Sequence, residues 1–153
     1  MPDICHKVGI QVSKEQIFQA ITTQSGLANW WTKDTKAEKA VLGGKIQFSF
    51  VKRLDKEFDV EVEIIELKPN QRVQWRVIQG PQEWLRTEIR FEINPQEKEN
   101  ILHFTHSKWS NPTDFMAQCN TKWAIFLLSL KEFLETGKGR PFPDDIRIGH
   151  YGA

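Results

Sequence analysis

Residues 57–64 read Glu-Phe-Asp-Val-Glu-Val-Glu-Ile, with an apolar side chain at every even position and an acidic one at every odd position. Such alternation is typical of a β-strand that buries one face and exposes the other. Shorter alternations recur between Lys45 and His106, and segments rich in Pro, Gly, Asn or Asp separate them. The pattern predicts an antiparallel meander of five strands with one apolar face.

The five predicted strands cover residues 46–50, 58–64, 73–77, 85–93 and 102–106, with turns at 54–56, 69–71, 80–82 and 95–100. A further alternating run over residues 4–12 predicts a strand at the start of the chain. The outward positions are acidic on 57–63 and basic at Arg72 and Arg76, so cross-strand ion pairs are expected. We interpret this charged side as a solvated outer face and expect any function on the inner face.

Two short helices are predicted after the first strand. Ser13 and Gln16 have the spacing of a capping box, which predicts a helix over residues 14–21. Thr23 can cap a second helix that runs to Trp30. The polar stretch 33–39 then breaks the pattern, and the glycines at 43 and 44 mark entry to the meander.

A long helix is predicted near the end of the chain. Asn111 is the predicted cap, Pro112 the first helical residue, and Gly137 the terminator. A helix from there to Thr136 is long enough to cross the whole sheet. Its apolar side chains recur at helical spacing and comprise Phe115, Cys119, Trp123, Phe126, Leu127, Leu130, Phe133 and Leu134.

Length and composition narrow the class of protein. A chain of 153 residues fits one domain, residues 1–153, and a net charge of +1 with dispersed basic residues gives no reason to expect nucleic-acid binding. Cys5 and Cys119 favour reduced thiols over a disulfide framework. Charged residues interrupt the first twenty positions, and the longest apolar run, 123–130, is too short for a membrane span. We therefore expect a cytoplasmic protein without a membrane anchor.

Four stretches of the chain resemble a known family. They are residues 20–22 with 26–31, residues 69–75, residues 102–109, and Trp123 with residues 127–137. These stretches resemble the START-like, or helix-grip, superfamily, and within it the homologues of the activator of the heat-shock-protein-90 ATPase. The resemblance implies an α+β helix-grip fold, in which a curved antiparallel sheet of six or seven strands wraps around the long C-terminal helix.

The resemblance also implies a cavity between sheet and helix, as in many members of the superfamily. The founding activator carries a chaperone-binding domain ahead of this one, whereas this chain starts at the first strand, which argues against the cochaperone function. Many relatives have glycine just before the tryptophan of the last helix. Lys122 occupies that position here, and it could alter what the cavity accepts.

Few polar groups fall on the predicted inner face. His106 shares the parity of Leu102 and Phe104, and a buried imidazole can anchor a ligand, act as acid or base, or be a core histidine bonded to backbone. His6, His106 and Cys119 could approach one another, yet they lack the short spacing of a metal site. Cys119 has no nucleophile signature, and no paired carboxylates have inward parity. We expect no metal and no cofactor.

These observations predict binding of a small, largely apolar molecule between sheet and C-terminal helix, with His106 as the polar anchor and a tryptophan as the stacking anchor. No catalysis is required. The aromatic excess favours this interpretation, since the rings can line a pocket, although they can equally fill a core. Alternatives are a chaperone-linked or other protein-binding module, and a cyclase-like or hydrolytic enzyme that uses His106 as its catalytic residue. The predicted ligand-contacting residues are Trp30, Phe48, Val62, Trp75, Phe91, Phe104, His106, Phe115, Cys119 and Trp123.

Overall fold

A computed structural model describes residues 2–51 and 57–149 of the chain. In chain order its elements are β1 (Ile4–Ile10), α1 (Lys14–Thr22), α2 (Gln24–Ala28), β2 (Thr35–Ala37), β3 (Lys45–Val51), β4 (Glu57–Lys68), β5 (Arg72–Gln79), a 3-10 turn (Gln82–Trp84), β6 (Glu88–Pro95), β7 (Asn100–Ser107) and α3 (Asp114–Thr136). The strands form one antiparallel sheet in the order β1-β7-β6-β5-β4-β3-β2. The predicted α+β helix-grip fold is confirmed.

The alternation in β4 sets which side of the sheet faces the core. Val60, Val62 and Ile64 are at most 2% exposed, and they pair in register with inward residues of β3 and β5. The inner face of the sheet packs against α3, whose Trp123, Leu127 and Leu130 belong to the same core cluster. The strand period of two and the helical period of 3.6 thus bring two apolar surfaces together.

Opposite charges pair across the strands of the outer face, as predicted. Arg72 bridges Glu66 at 3.0 Å and Glu92 at 2.8 Å. Glu88 is more buried than an outward carboxylate usually is, at 6% exposed, and it accepts bonds from Lys108 and Gln74. Burial raises the pKa of Glu88, but these bonds and the nearby cations outweigh it and keep the pKa below its usual value.

Helix boundaries follow local chemistry, with one correction. The Ser13–Gln16 capping box and the left-handed Gly137, at φ 89°, are both present. The cap of α3 is Thr113, whose hydroxyl accepts from the Met116 N–H, so the predicted cap at Asn111 and first turn at Pro112 are wrong. A threonine with extended backbone directly before the helix satisfies an N–H that Asn111 lies too far back to reach.

Three other boundaries differ from the predictions. Residues 35–37, within the stretch expected to break the pattern, form the edge strand β2 against β3. The second helix ends at Ala28 instead of Trp30. Leu85 lies in the loop before β6, not in a strand, because Arg86 at φ 70° cannot continue one. The predicted turn at 54–56 lies outside the described residues.

The segment after α3 folds back over the domain, up to residue 149. The Phe142 N–H donates to the Trp31 carbonyl at 2.7 Å, and the Phe142 ring lies 5.4 Å from that of Phe50. Lys122 forms an ion pair with the buried Asp145 and donates to the Ile146 carbonyl. Lys122 therefore holds this returning segment against α3.

Gly26 marks a close approach between α1 and α2. A Cβ added there would lie 2.6 Å from Ala20 Cα and 2.7 Å from the Gln19 carbonyl oxygen. Both obstacles are backbone, so they cannot rotate away. The glycine is therefore required by packing, although it lies in a helix, where glycine is normally unfavourable.

We expect Gly26→Ala to destabilise the domain by about 1–3 kcal/mol, the usual cost of overpacking. Alanine would otherwise stabilise a helix by about 1 kcal/mol relative to glycine. Urea denaturation measures the effect. Ser25→Ala, at an exposed neighbouring position, is the matched control, and equal stability of the two variants would contradict the prediction.

Candidate functional site

A continuous cluster of aromatic rings occupies the space between the sheet and α3. Trp31 lies at its centre, with ring centroids 4.1 Å from Phe48, 4.9 Å from Trp123 and 6.1 Å from Trp75. The cluster continues through Phe91 and Phe104 to the His106 end of β7. Offset and edge-to-face contacts at these spacings are favourable for aromatic pairs.

Eight of the ten predicted ligand-contacting residues are at most 2% exposed in this interior: Trp30, Phe48, Val62, Trp75, Phe91, Phe104, His106 and Trp123. Cys119 is buried at 8% exposed, and Phe115 is half-buried, with its ring 6.4 Å from that of Trp109. The structure brings the aromatic members together as one packed cluster. Their contact with a ligand stays a prediction.

His106 lies at the centre of a hydrogen-bonded chain that joins three elements. The Trp123 indole N–H donates to Nδ1 at 3.1 Å, while Nε2 lies 2.8 Å from the Thr87 hydroxyl oxygen. The Thr87 hydroxyl donates to the Trp84 carbonyl at 2.6 Å. An indole can only donate, and the Thr87 proton is used by the carbonyl, so His106 carries its proton on Nε2 and donates it to Thr87.

This geometry defines the state of the imidazole. Burial lowers the pKa of His106 from 6.5 to about 3, so the ring is neutral near neutral pH. Its lone pair and its proton are both engaged within the chain. In this arrangement His106 orients Trp123 and Thr87 and offers no free nitrogen to a substrate, which argues against the acid–base function considered from the sequence.

Two buried indole groups have no such partner. Among the described residues, no acceptor lies within hydrogen-bond distance of Nε1 of Trp75, which is 0% exposed, or Nε1 of Trp109, which is 1% exposed. Three other indoles in this interior do have an acceptor: Trp30 donates to the Ala20 carbonyl at 2.8 Å, Trp84 to Cys119 Sγ at 3.4 Å and Trp123 to His106 Nδ1 at 3.1 Å. Unpaired buried donors are costly, so the two N–H groups mark places where a polar atom fits.

Trp31, Trp84 and Trp109 are central to this site, and the predicted ligand-contacting residues did not include them; the sequence suggested Trp109, with Lys108, only as a candidate for the mouth of the pocket. Trp31 and Trp109 follow the ends of regular elements, and Trp84 lies in the loop after β5, so no periodicity assigned their side chains to the interior. The available signal was the aromatic excess itself: six tryptophans in 153 residues exceed what the predicted faces account for.

Other features of the described surface lie apart from this interior. One groove is lined by residues including Asp34, Lys36, Ser49 and Asp59, and of the predicted site residues Phe48 borders it. Within the described residues, no group of three or more His, Cys, Asp or Glu side chains is placed to hold a metal ion. None of the helices in the described part of the chain is long and apolar enough to cross a membrane.

Comparison with known proteins places the chain in a family. Residues 11–135 match the family described as "Activator of Hsp90 ATPase homolog 1-like protein". The chain belongs to this family. One similar solved structure is the Aha1 dimer from Colwellia psychrerythraea, which is 45% identical in sequence and has a TM-score of 0.78. The match covers 91% of this chain and 100% of that one. No curated protein matched the chain.

More distant structures share the fold alone. A Staphylococcus saprophyticus protein is 19% identical with a TM-score of 0.72, over 90% of this chain and 95% of that one. A Mesorhizobium loti protein is 17% identical with a TM-score of 0.71, over 88% and 97%. These distant structures support the helix-grip architecture and do not assign a function, because one fold can host many functions.

The buried imidazole predicts a pH dependence of stability. In the unfolded chain His106 titrates near 6.5, whereas in the folded protein its pKa is about 3. Between these two pKa values the unfolded state binds the proton and the folded state does not. The contribution of His106 to the free energy of unfolding is therefore fully present above pH 6.5 and is lost as the pH falls towards 3. From pH 7 to pH 5 we expect this group alone to remove about 2 kcal/mol.

Urea denaturation at pH 7 and pH 5 measures this loss, in a window above the usual glutamate pKa of 4.5. His106→Gln should flatten the dependence by removing the titrating group. In the wild type, the chemical shifts of the ring nitrogens should show that His106 is neutral, with its proton on Nε2, at both pH values. A protonated His106 ring in the folded protein at pH 5 would refute the assignment.

Proposed function

We propose that this domain binds a small, largely apolar molecule between the sheet and α3, with buried indole N–H groups as the polar contacts. The observation that carries the proposal is the pair of unpartnered donors at Trp75 and Trp109. A ligand with a hydrogen-bond acceptor would satisfy a donor that the folded chain leaves unpaired, in a setting where the desolvation cost is already met by folding.

The surroundings of Trp75 are consistent with an apolar ligand. Its ring is stacked with that of Trp31 at an interplanar angle of 11° and lies 5.7 Å from Phe48 and 5.1 Å from Phe91. A surface made of aromatic rings makes favourable contacts with the flat or aliphatic parts of a ligand and offers few favourable contacts to a charged group. In contrast to the expectation from the sequence, the polar anchor would be an indole, because both nitrogens of His106 are already bonded.

The test compares two tryptophans that differ in one respect. Trp75→Phe and Trp30→Phe remove the same volume from the core, but Trp30 donates to the Ala20 carbonyl and Trp75 has no described acceptor. We expect Trp30→Phe to cost about 1 kcal/mol more in unfolding free energy, which is the worth of one hydrogen bond. In native mass spectrometry of protein taken directly from cells, Trp75→Phe should lower the fraction that retains a small molecule.

Trp30→Phe should retain the molecule as the wild type does. The proposal is wrong if wild-type protein carries no bound mass under gentle desolvation. It is equally wrong if Trp75→Phe retains the same mass in the same fraction as Trp30→Phe.

A second candidate function is protein interaction of the activator type, and the 45% identity to the Colwellia relative favours it. That relative is described as a dimer. Leu128 on α3 is 55% exposed, so its side chain is accessible to a second subunit in mid-helix. We propose self-association through this face of α3.

Light scattering after size-exclusion chromatography should give a dimer mass for the wild type and a monomer mass for Leu128→Glu. Leu42→Glu is the matched control, since Leu42 is 65% exposed in the turn before β3, and it should stay dimeric. A monomeric wild type, or dissociation by Leu42→Glu in place of Leu128→Glu, would exclude this surface. Addition of purified Hsp90 to the same variants then tests whether its ATP hydrolysis depends on the same residue.

A further inference from the structure

Trp84 occupies a place in the interior that differs from that of the other core tryptophans. Its ring is stacked on Trp123 at an interplanar angle of 14° and meets the His106 ring edge-on, with centroids 4.8 Å apart. Trp109 closes a third side at 6.5 Å. The indole is thus enclosed by aromatic surfaces supplied by α3, by β7 and by the segment that follows β7.

The chain carries Trp84 on a loop, whereas Trp75 and Trp123 are fixed in a strand and a helix. Residues 80–87 connect β5 to β6, and the loop is bracketed by Gly80 at φ 155° and Arg86 at φ 70°. A positive φ is ordinary for glycine, whereas Arg86 adopts one without the freedom of glycine. The Trp84 carbonyl accepts from the Thr87 hydroxyl, so rotation of the Trp84 side chain moves the ring and leaves Thr87 beside His106.

The polar contact of the Trp84 ring is also weak. Its N–H donates to Cys119 Sγ at 3.4 Å, and sulfur is a poor acceptor compared with the carbonyl that receives the Trp30 N–H. The ring is 5% exposed, while those of Trp30 and Trp75 are completely buried. Of the Trp30 and Trp84 N–H groups, that of Trp84 therefore has the weaker acceptor.

The neighbouring Trp109 supplies an independent observation. Its Nε1 is buried without a partner among the described residues, and its ring lies 4.8 Å from His106. Trp84 cannot satisfy this donor with its ring, since an indole has no acceptor nitrogen. A molecule of similar shape that carries an acceptor could both replace the stacking of Trp84 and pair with Trp109.

We propose that Trp84 is an internal occupant of a binding site for a planar bicyclic aromatic molecule that bears a hydrogen-bond acceptor. When such a molecule binds, it displaces the Trp84 ring, stacks on Trp123 and accepts from the Trp109 N–H. The proposal rests on the ligand-binding function above and adds the competing side chain and the chemical class of ligand.

Indole and 7-azaindole are matched probes, because they have the same shape and differ by one ring nitrogen that can accept a hydrogen bond. In titrations of 15N-labelled wild-type protein, 7-azaindole should shift the indole resonances of Trp84, Trp109 and Trp123. It should bind more tightly than indole by about fivefold, the value of one net hydrogen bond. Trp109→Phe should abolish this preference, and Trp30→Phe, whose indole is bonded elsewhere, should retain it.

Trp84→Ala removes the internal competitor, so we expect both probes to bind at least tenfold more tightly, measured by calorimetry. The wild-type titration does not depend on the folding of any variant. If saturating 7-azaindole leaves the Trp84 and Trp123 resonances of the wild type unmoved, the inference is overturned.

The two proposals fail separately. A native molecule retained in the mass spectrum, with Trp84 undisturbed by the probes, would preserve the ligand-binding function and reject Trp84 as its competitor. Probe binding that displaces Trp84, in a protein that carries no native molecule, would support this site and reject the proposed function.

Discussion

The hydrogen bond from the Trp123 indole to His106 Nδ1 holds the long helix against the sheet at a defined rotation. An interior made of aromatic rings is tolerant of small slides, because offset and edge-to-face contacts have broad minima. A directional bond between two buried groups removes that tolerance, since a misplaced ring would leave both the indole and the imidazole unpaired. The packing of α3 and the orientation of the rings around it depend on this bond.

The same bond determines the rest of the polar chain. Because Nδ1 accepts, the proton must reside on Nε2, and Thr87 must accept it and donate onward to the Trp84 carbonyl. A single tautomer therefore connects α3, β7 and the loop after β5. Burial lowers the pKa of His106 well below that of a solvated ring, and protonation would in addition place a second donor opposite the Trp123 N–H.

Parity and capping explain how much could be predicted from the sequence. The alternation of Val60, Val62 and Ile64, and the alternation that places His106 with Phe104, assigned the inner face correctly because burial follows directly from a strand's period of two. The partners of His106 could not be predicted in this way. Thr87 stands just before β6, and the identity of its partner depends on the β6–β7 register and on a loop conformation.

The failures lie where local propensity is weak. Thr35–Ala37 is a three-residue edge strand with polar composition, and it forms because β3 offers a free edge, not because of its own pattern. In the sequence, Leu85 continues the apolar alternation of the following strand. The left-handed backbone of Arg86 interrupts that strand, which therefore begins only at Glu88. Tryptophans outside regular elements are invisible to periodicity, and three of them are central to this interior.

The tryptophan rings differ in how firmly they are fixed, and the strength of the hydrogen bond that each indole donates gives the order. Trp123 donates to the imidazole of His106 in β7, and Trp30 donates to the carbonyl of Ala20 in α1. Both acceptors are held in place by regular elements. Trp84 donates to the sulfur of Cys119, and it lies in a loop that has positive φ angles at Gly80 and Arg86. A packed core of this kind is not uniformly rigid, because local stability follows local contacts. Any opening of the interior at low cost should therefore begin at Trp84, next to Trp109, whose buried N–H has no acceptor among the described residues.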